Sequence, residues 1–259
     1  MKKYSLLIAT FCLFALVQNS YAQFNKNVVI AHRGAWKKNN LPENSIASLN
    51  QAAAIGCYGS EFDVHLTKDD SLVVNHDPTF YGIDIESSTY QDLLVKKHPN
   101  GEKIPTAEEY LLAGKKNKKT KLIFEIKTAK AGKERTLQLT RMSVDLVKKL
   151  GLQKQVEYIC FDYDAGKLVH QLDAKAKVAY LNGDVAPAEA KAAGYTGIDY
   201  HINAFKKNPD WIKEAHKIGL SVNVWTVNDV EDMKNFLAQK VDYITTNEPE
   251  LLFEVLHQK

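Results

Sequence analysis

Between His32 and Asp77 the chain reads His32-Arg33-Gly34, Pro42-Glu43-Asn44, Glu61-Phe62-Asp63 and His76-Asp77. Imidazole titrates near neutrality and can carry a proton either way. Carboxylates suit a hard divalent cation, and a guanidinium can fork across two oxygens of an anion. Brought together, these residue types point to metal-assisted phosphoryl chemistry.

The spacing gives each residue a part. Side chains alternate across a strand, so Glu61 and Asp63 share a face with α-carbons about 6.5 Å apart and can converge on one cation. Glu125, in Leu122-Ile123-Phe124-Glu125-Ile126-Lys127, ends another strand and supplies a third oxygen. Three carboxylates without a thiol or a close histidine pair favour Ca²⁺ or Mg²⁺ over zinc. His32 and His76 end two further extended runs, and the pair can divide general acid and base work. The three acids and a divalent cation sum to −1, and a phosphodiester adds −1, so cations must hold that anion; Arg33 and Lys127 are placed to do so. The alternative for both is neutralisation of the acids without substrate contact. Glu43 precedes a helix that Asn44 or Ser45 would cap, and is either a pocket residue or a helix-dipole acid. Trp225 ends a strand, where it would wall a pocket at a barrel mouth. The other histidines are read as surface or packing residues.

These residues need a frame. Short β-rich runs alternate with amphipathic helical stretches, the pattern of repeated βα units. Strands are expected over 28–32, 59–65, 121–127, 155–161, 177–181, 197–201, 220–226 and 243–246. Helices are expected over 45–55, 106–112, 135–150, 164–172, 188–193, 210–218, 230–238 and 250–257. Gly56, Gly151, Gly194 and Gly219 stand where helix C-caps would. Eight such units make a (β/α)8 barrel, whose sites lie at the C-terminal ends of the strands. The rhythm breaks at 72–75, a short extended run, and at 78–104, a polar and irregular stretch. Together they read as a small insertion, about 77–105, between the second and third barrel strands, with His76 at its base.

Residues 1–22 have the form of a secretory signal: Lys2 and Lys3, an apolar run from Leu6 to Val17, and Ser20-Tyr21-Ala22 before Gln23. Removing them leaves 259 − 22 = 237 residues, about the roughly 250 typical of one such barrel, and residues 23–259 are read as a single domain. Export to the periplasm or medium is expected, with no stable membrane insertion after cleavage. Net charge falls from +3 to +1 once the two lysines are removed, which gives no footprint for nucleic acid. Cys57 and Cys160 lie at strands that are not neighbours in the barrel and are expected to be free buried thiols. No pattern in the sequence speaks to oligomeric state.

The ordered set resembles the glycerophosphodiester phosphodiesterase family over essentially the whole chain after residue 22. The resemblance rests on the motifs above, on Glu61 to Asp69, Ile104-Pro105-Thr106, Glu125-Ile126-Lys127 and Asn223-Val224-Trp225-Thr226-Val227-Asn228, and on Asp242 to Asn247. It implies a TIM barrel that hydrolyses glycerophosphodiesters to sn-glycerol 3-phosphate and an alcohol. It also implies a Ca²⁺ or Mg²⁺ site at Glu61, Asp63 and Glu125, with His32 and His76 as the acid-base pair. Two departures stand out: Pro78 to Gly82 where the family often carries Leu-x-Arg-Thr-Thr, and Thr246-Asn247-Glu248-Pro249 where Thr-Asp-x-Pro is common. The first bears on substrate choice. A lysophospholipase D or sphingomyelinase D type enzyme is the nearest alternative, and a non-catalytic binder of phosphorylated polyols a more distant one.

Overall fold

A computed structural model describes residues 23–258. Eight parallel strands close on themselves: β1 (Val29–Ala31), β2 (Gly59–Leu66), β6 (Lys121–Ile126), β7 (Val156–Cys160), β8 (Val178–Tyr180), β9 (Gly197–His201), β10 (Ser221–Trp225) and β11 (Tyr243–Thr246). The order is sequential, and β1 pairs with both β11 and β2, so the eight-stranded barrel is closed. Helices α1 (Ile46–Ala54), α3 (Ala107–Lys116), α4 (Lys133–Leu150), α5 (Tyr163–Leu172), α6 (Pro187–Ala192), α8 (Trp211–Lys217), α9 (Val230–Ala238) and α10 (Pro249–His257) follow successive strands. This is the (β/α)8 barrel that the alternation predicts.

Alternation along each strand sorts the side chains into two sets. One face of β2 and β6 (Phe62, Val64, Leu66, Leu122, Phe124, Ile126) joins the main apolar core beneath the helices. The other face fills the barrel, where Ile30, Ile123, Ile159 and Leu181 form a separate buried cluster. Gly59 is required there, since a Cβ would stand 2.8 Å from Cγ1 of Ile123. The N-terminal end of the barrel is plugged: Tyr58 stacks on Tyr243 at 4.3 Å and donates to Glu157 at 2.8 Å, and Lys121 and Lys177 pair with the same carboxylate. The opposite end carries Glu61, Asp63 and Glu125.

β2 has eight residues because it does two jobs. Its first half pairs with β1, and its second half pairs antiparallel with β3 (Leu72–Val74). Beyond β3 lie a hairpin, β4 (Thr79–Phe80) and β5 (Ile83–Asp84), and a four-residue helix α2 (Tyr90–Leu93). The insertion thus sits between the second and third barrel strands as expected, but its interior is not irregular. Val73, Phe80, Ile85, Leu93 and Ile104 bury one another in a satellite core. A further unforeseen helix, α7 (Ile202–Lys207), follows β9 directly.

Other expectations differ by a residue or two. His32 lies just past β1 and Lys127 just past β6, while α3 runs four residues beyond its expected end. Of the four glycines, Gly151 is itself a left-handed C-cap; Gly56, Gly194 and Gly219 follow the cap residue, also at positive φ. Cys57 and Cys160 are buried and unbridged. Residues 1–22, expected to be a secretory signal, lie outside the described residues. Among the described residues no helix is long and apolar enough to cross a membrane.

Candidate active site

Register aligns the acids. β2 and β6 pair with Asp63 opposite Glu125, and Glu61 stands two residues before Asp63 on the same face. Oxygens of all three lie within 4.8 Å of one another, and all three residues are buried. Oε2 of Glu61 accepts from the Arg33 backbone N–H at 2.8 Å, while Oε1 is buried with no partner. An unpaired, buried carboxylate oxygen beside two other carboxylates is costly unless a cation satisfies it. The donors are all hard oxygens, so the cluster fits one divalent cation of the Ca²⁺ or Mg²⁺ type.

Electrostatics separate the three. Burial, then the charges of Asp63 and Glu125, push Glu61 well above the ordinary carboxylate range. Burial and Asp63 push Glu125 up to about 8. Burial works in the same direction on Asp63, but Lys127, His76, the Asn44 hydrogen bond and Arg33 outweigh it and hold that carboxyl low. Lys127 Nζ lies 3.1 Å from Asp63 and 2.7 Å from Glu125. Its contacts are therefore with the acids.

The loop after β1 is shaped around the same centre. Arg33 takes a positive φ of 57°, which turns its N–H onto Glu61, and Gly34 follows at 82°. A Cβ on Gly34 would fall 2.4 Å from Oγ of Ser48, so only glycine lets the turn pack against α1. The Arg33 side chain reaches Glu43 through Nη1 at 2.8 Å and approaches Asp63 through Nε at 3.8 Å. Glu43 is thus an anchor for Arg33 rather than a helix-dipole acid. Ser45 caps α1, accepting from Ser48 N. The Asn44 side chain is therefore free to hold Asp63. Its Nδ2 donates to the Asp63 carboxylate at 2.8 Å, and its Oδ1 accepts the Asp63 N–H at 3.1 Å.

Both histidines line the same cavity as Glu61 and Glu125. His32 Nδ1 is hydrogen-bonded to Asn247 Oδ1 at 2.7 Å, which places the proton on Nδ1 and leaves Nε2 free, 3.9 Å from Glu61. Burial and the Arg33 charge lower its pKa to about 4. His76 is held by its backbone: Asn75 N donates to the Asp63 carbonyl at 3.0 Å, and His65 Nε2 to the His76 carbonyl at 3.0 Å. Its Nδ1 pairs with Asp77 at 2.8 Å.

Two cavities meet at His76. The first, about 190 Å³, is bounded by His32, Arg33, the acids Glu61 and Glu125, Lys127 and Trp225. Trp225 is fixed across it by a hydrogen bond from Nε1 to the Asp199 carbonyl at 2.9 Å. The Asp199 side chain, on an inward position of β9, is buried with an unpaired Oδ1, and burial raises its pKa to about 7. The second cavity, about 540 Å³, opens on the far side of His76 beneath the insertion. Every residue expected at the site is therefore at this end of the barrel. Asn44, Asn247 and His65 are additions that their types and spacing did not reveal, and Asp199, an acid in an apolar strand, is a fourth.

Residues 32–251 match the glycerophosphoryl diester phosphodiesterase family. A glycerophosphodiester phosphodiesterase from Caldanaerobacter subterraneus is 30% identical over 248 residues, covering 90% of this chain and 99% of the relative. A crystal structure of a glycerophosphodiester phosphodiesterase from Parabacteroides distasonis superposes with a TM-score of 0.87 at 46% identity, covering 91% of this chain and 98% of that one. An Oleispira antarctica phosphodiesterase, solved with the product sn-glycerol-3-phosphate, shares the fold at a TM-score of 0.78 and 21% identity, over 89% and 97% of the two chains. With matches of this extent, the chain belongs to the glycerophosphoryl diester phosphodiesterase family.

Proposed function

We propose that the protein is a metal-dependent hydrolase of small glycerophosphodiesters, releasing sn-glycerol 3-phosphate and an alcohol. The observation that carries this reading is a cluster of three buried carboxylates, two of which, Glu61 and Glu125, line one cavity together with His32, His76 and Arg33, in a chain of this family. Glu61, Asp63 and Glu125 would hold one divalent cation, Ca²⁺ or Mg²⁺. Bound there, it supplies positive charge against the phosphoryl oxygens.

The side chains have separable work. Arg33, steadied by Glu43, presents its guanidinium to the substrate phosphate. Lys127 compensates Asp63 and Glu125 and keeps a second positive charge at the cavity wall. His32 stays neutral at physiological pH, with Nε2 unprotonated, and is suited to take a proton from the nucleophile. His76 borders both cavities and is the group beside which the alcohol must leave, so it supplies the proton to that oxygen. Trp225, with Ile159, Phe161 and Leu181 beside it, forms the apolar wall of the first cavity.

The deciding experiment is product analysis of the purified protein on a panel of glycerophosphodiesters, with and without EDTA. Glycerol 3-phosphate should appear, cease with chelation and return with added Mg²⁺ or Ca²⁺. Full turnover in excess EDTA after exhaustive dialysis would sink the metal-dependent reading. The proposal extends to an exported enzyme, supported by the pattern of residues 1–22. A mature N-terminus at Gln23 in the exported fraction tests it.

A further inference from the structure

The net charge of +1 conceals a division of charge. Eight segments lead into the barrel strands at their N-terminal ends: 23–28, 55–58, 115–121, 148–155, 172–177, 191–196, 216–220 and 239–242. They hold fourteen lysines, no arginine and two acids, Asp173 and Asp242. The rest of residues 23–259 keeps 32 − 14 = 18 lysines and arginines against 31 − 2 = 29 acids. Ten of the fourteen lysines lie on three neighbouring loops, those into β6, β7 and β8. This basic face is the end of the barrel opposite the acidic cluster.

Helix dipoles explain part of it. Lysines in the last turn of a helix offset its dipole and bond its carbonyls. Lys115 and Lys148 donate to the carbonyls of Leu150 and Leu172, and Lys149 pairs with Glu108. Lys121 and Lys177 share Glu157. Lys26, Lys118, Lys119 and Lys175 do neither job. They stand exposed in loops, with no acidic partner among the described residues. Lys26 adjoins Lys119, since the Asn25 N–H donates to the Lys119 carbonyl at 2.8 Å. Half-buried Phe24 and Ile218, 37% exposed, add apolar surface to the same face.

Like charges gathered on one face repel one another and call for an extended counter-charge. Single phosphoryl groups and nucleic acid backbones are met best by arginine forks, and this face has none. Ammonium groups spread over several loops suit a charge spread over an area, as an anionic lipid surface provides. The acid-rich remainder does not cancel that attraction. The five residues of β7, tilted as barrel strands are, put the two ends about 13 Å apart. That exceeds the Debye length of about 8 Å at physiological salt. We propose that the N-terminal face of the barrel docks reversibly on anionic phospholipid surfaces and holds the mouth of the site toward solution. The docking does not depend on the phosphodiesterase reading.

The test sediments protein of residues 23–259 with vesicles of phosphatidylcholine, alone or mixed with phosphatidylglycerol. It should partition onto the mixed vesicles only, and high salt should release it. Each lysine near the surface is worth roughly fivefold in partitioning. The combined variant Lys26→Gln, Lys118→Gln, Lys119→Gln and Lys175→Gln should therefore bind at least about a hundredfold more weakly, with Tm unchanged. Neutralising Lys38, Lys96, Lys97 and Lys207, on the opposite side, should leave binding nearly intact. Orientation has its own readout. Trp36, Trp211 and Trp225 all stand on the mouth side, so a quencher carried on the lipid head groups should leave tryptophan fluorescence unchanged. Equal binding to both vesicle types, no binding to either, equal loss in the two variants, or strong quenching would each overturn the proposal. So would a DNA duplex that binds as tightly as the mixed vesicles at equal phosphate concentration.

Discussion

Neither histidine is placed as a metal ligand, so the two can be removed without dismantling the acidic cluster. His32→Ala and His76→Ala should each lower kcat by at least about a hundredfold, the usual scale for a general acid or base, with cation affinity nearly unchanged by calorimetry. Near-normal turnover in either variant would return that histidine to a structural role. Asn44 belongs to the opposite class. It grips Asp63 from both sides, and Asn44→Ala should weaken cation binding by about 10–100-fold, as the loss of an outer partner of a metal-ligating carboxylate does. Calorimetric titration with Mg²⁺ or Ca²⁺ measures it. The structure brings the nine residues expected from the sequence to one end of the barrel, eight of them on or just past strands and Glu43 in the loop before α1. Asn44, Asn247 and His65 were not legible, because an amide in a turn or an imidazole in a strand acquires meaning only from its partner. Asn247 finds His32 across 215 residues of chain, a distance no local pattern spans. Asp199 offered one signal, an acid in an apolar strand, which alternation would have placed inside the barrel.

At the scale of elements, periodicity works where elements are long enough to show a period. All eight barrel strands and eight of the helices follow from it. The pieces it misses are short: the two-residue strands of the β4–β5 hairpin, the four residues of α2 and the six of α7. The insertion is polar in sequence because its apolar residues are scattered, and folding gathers them around Phe80. Phe80 is 1% exposed, so it is packing beneath the second cavity, and Tyr81 is the ring that meets solvent. Phe80→Ala should cost about 3–5 kcal/mol locally. Amide exchange should accelerate across residues 72–104 and stay unchanged in β7 to β11. Uniform acceleration through the barrel would mean that the insertion and barrel unfold as one unit. Because the carbonyl of His76 and the N–H of Asn75 are bonded to β2, the same variant should also reduce turnover.

For the whole molecule, the acidic cluster is a charge stored inside a rigid frame. The closed barrel, plugged at the Tyr58–Tyr243 end, gives Glu61, Asp63 and Glu125 no room to separate. The consequence is a pH-dependent stability whose sign can be worked out. Burial and Asp63 raise Glu125 from 4.5 to about 8, so the folded protein binds more protons at this group than the unfolded chain does. Its stabilisation is complete below about pH 4.5 and is lost as pH rises toward 8. His32 runs the other way, because its pKa is lowered from 6.5 to about 4. Its contribution is present above pH 6.5 and is lost as pH falls toward 4. Between pH 6.5 and 8 the histidine has finished titrating and the carboxyl has not. Metal-free protein should therefore lose thermal stability across that interval, and Glu125→Gln should reduce the slope, with Glu61, raised in the same direction, supplying what remains. A divalent cation binds the ionised acids, so added Mg²⁺ or Ca²⁺ should raise Tm most at the alkaline end. At about a hundredfold excess over Kd the gain is about 2.7 kcal/mol, or roughly 5–10 °C for a chain of this size. Scanning calorimetry of EDTA-treated protein at pH 6.5, 7.25 and 8, with and without each cation, gives both slopes. A Tm that is flat with pH and indifferent to cations would mean that Lys127 and Arg33 already neutralise the cluster and that it holds no metal.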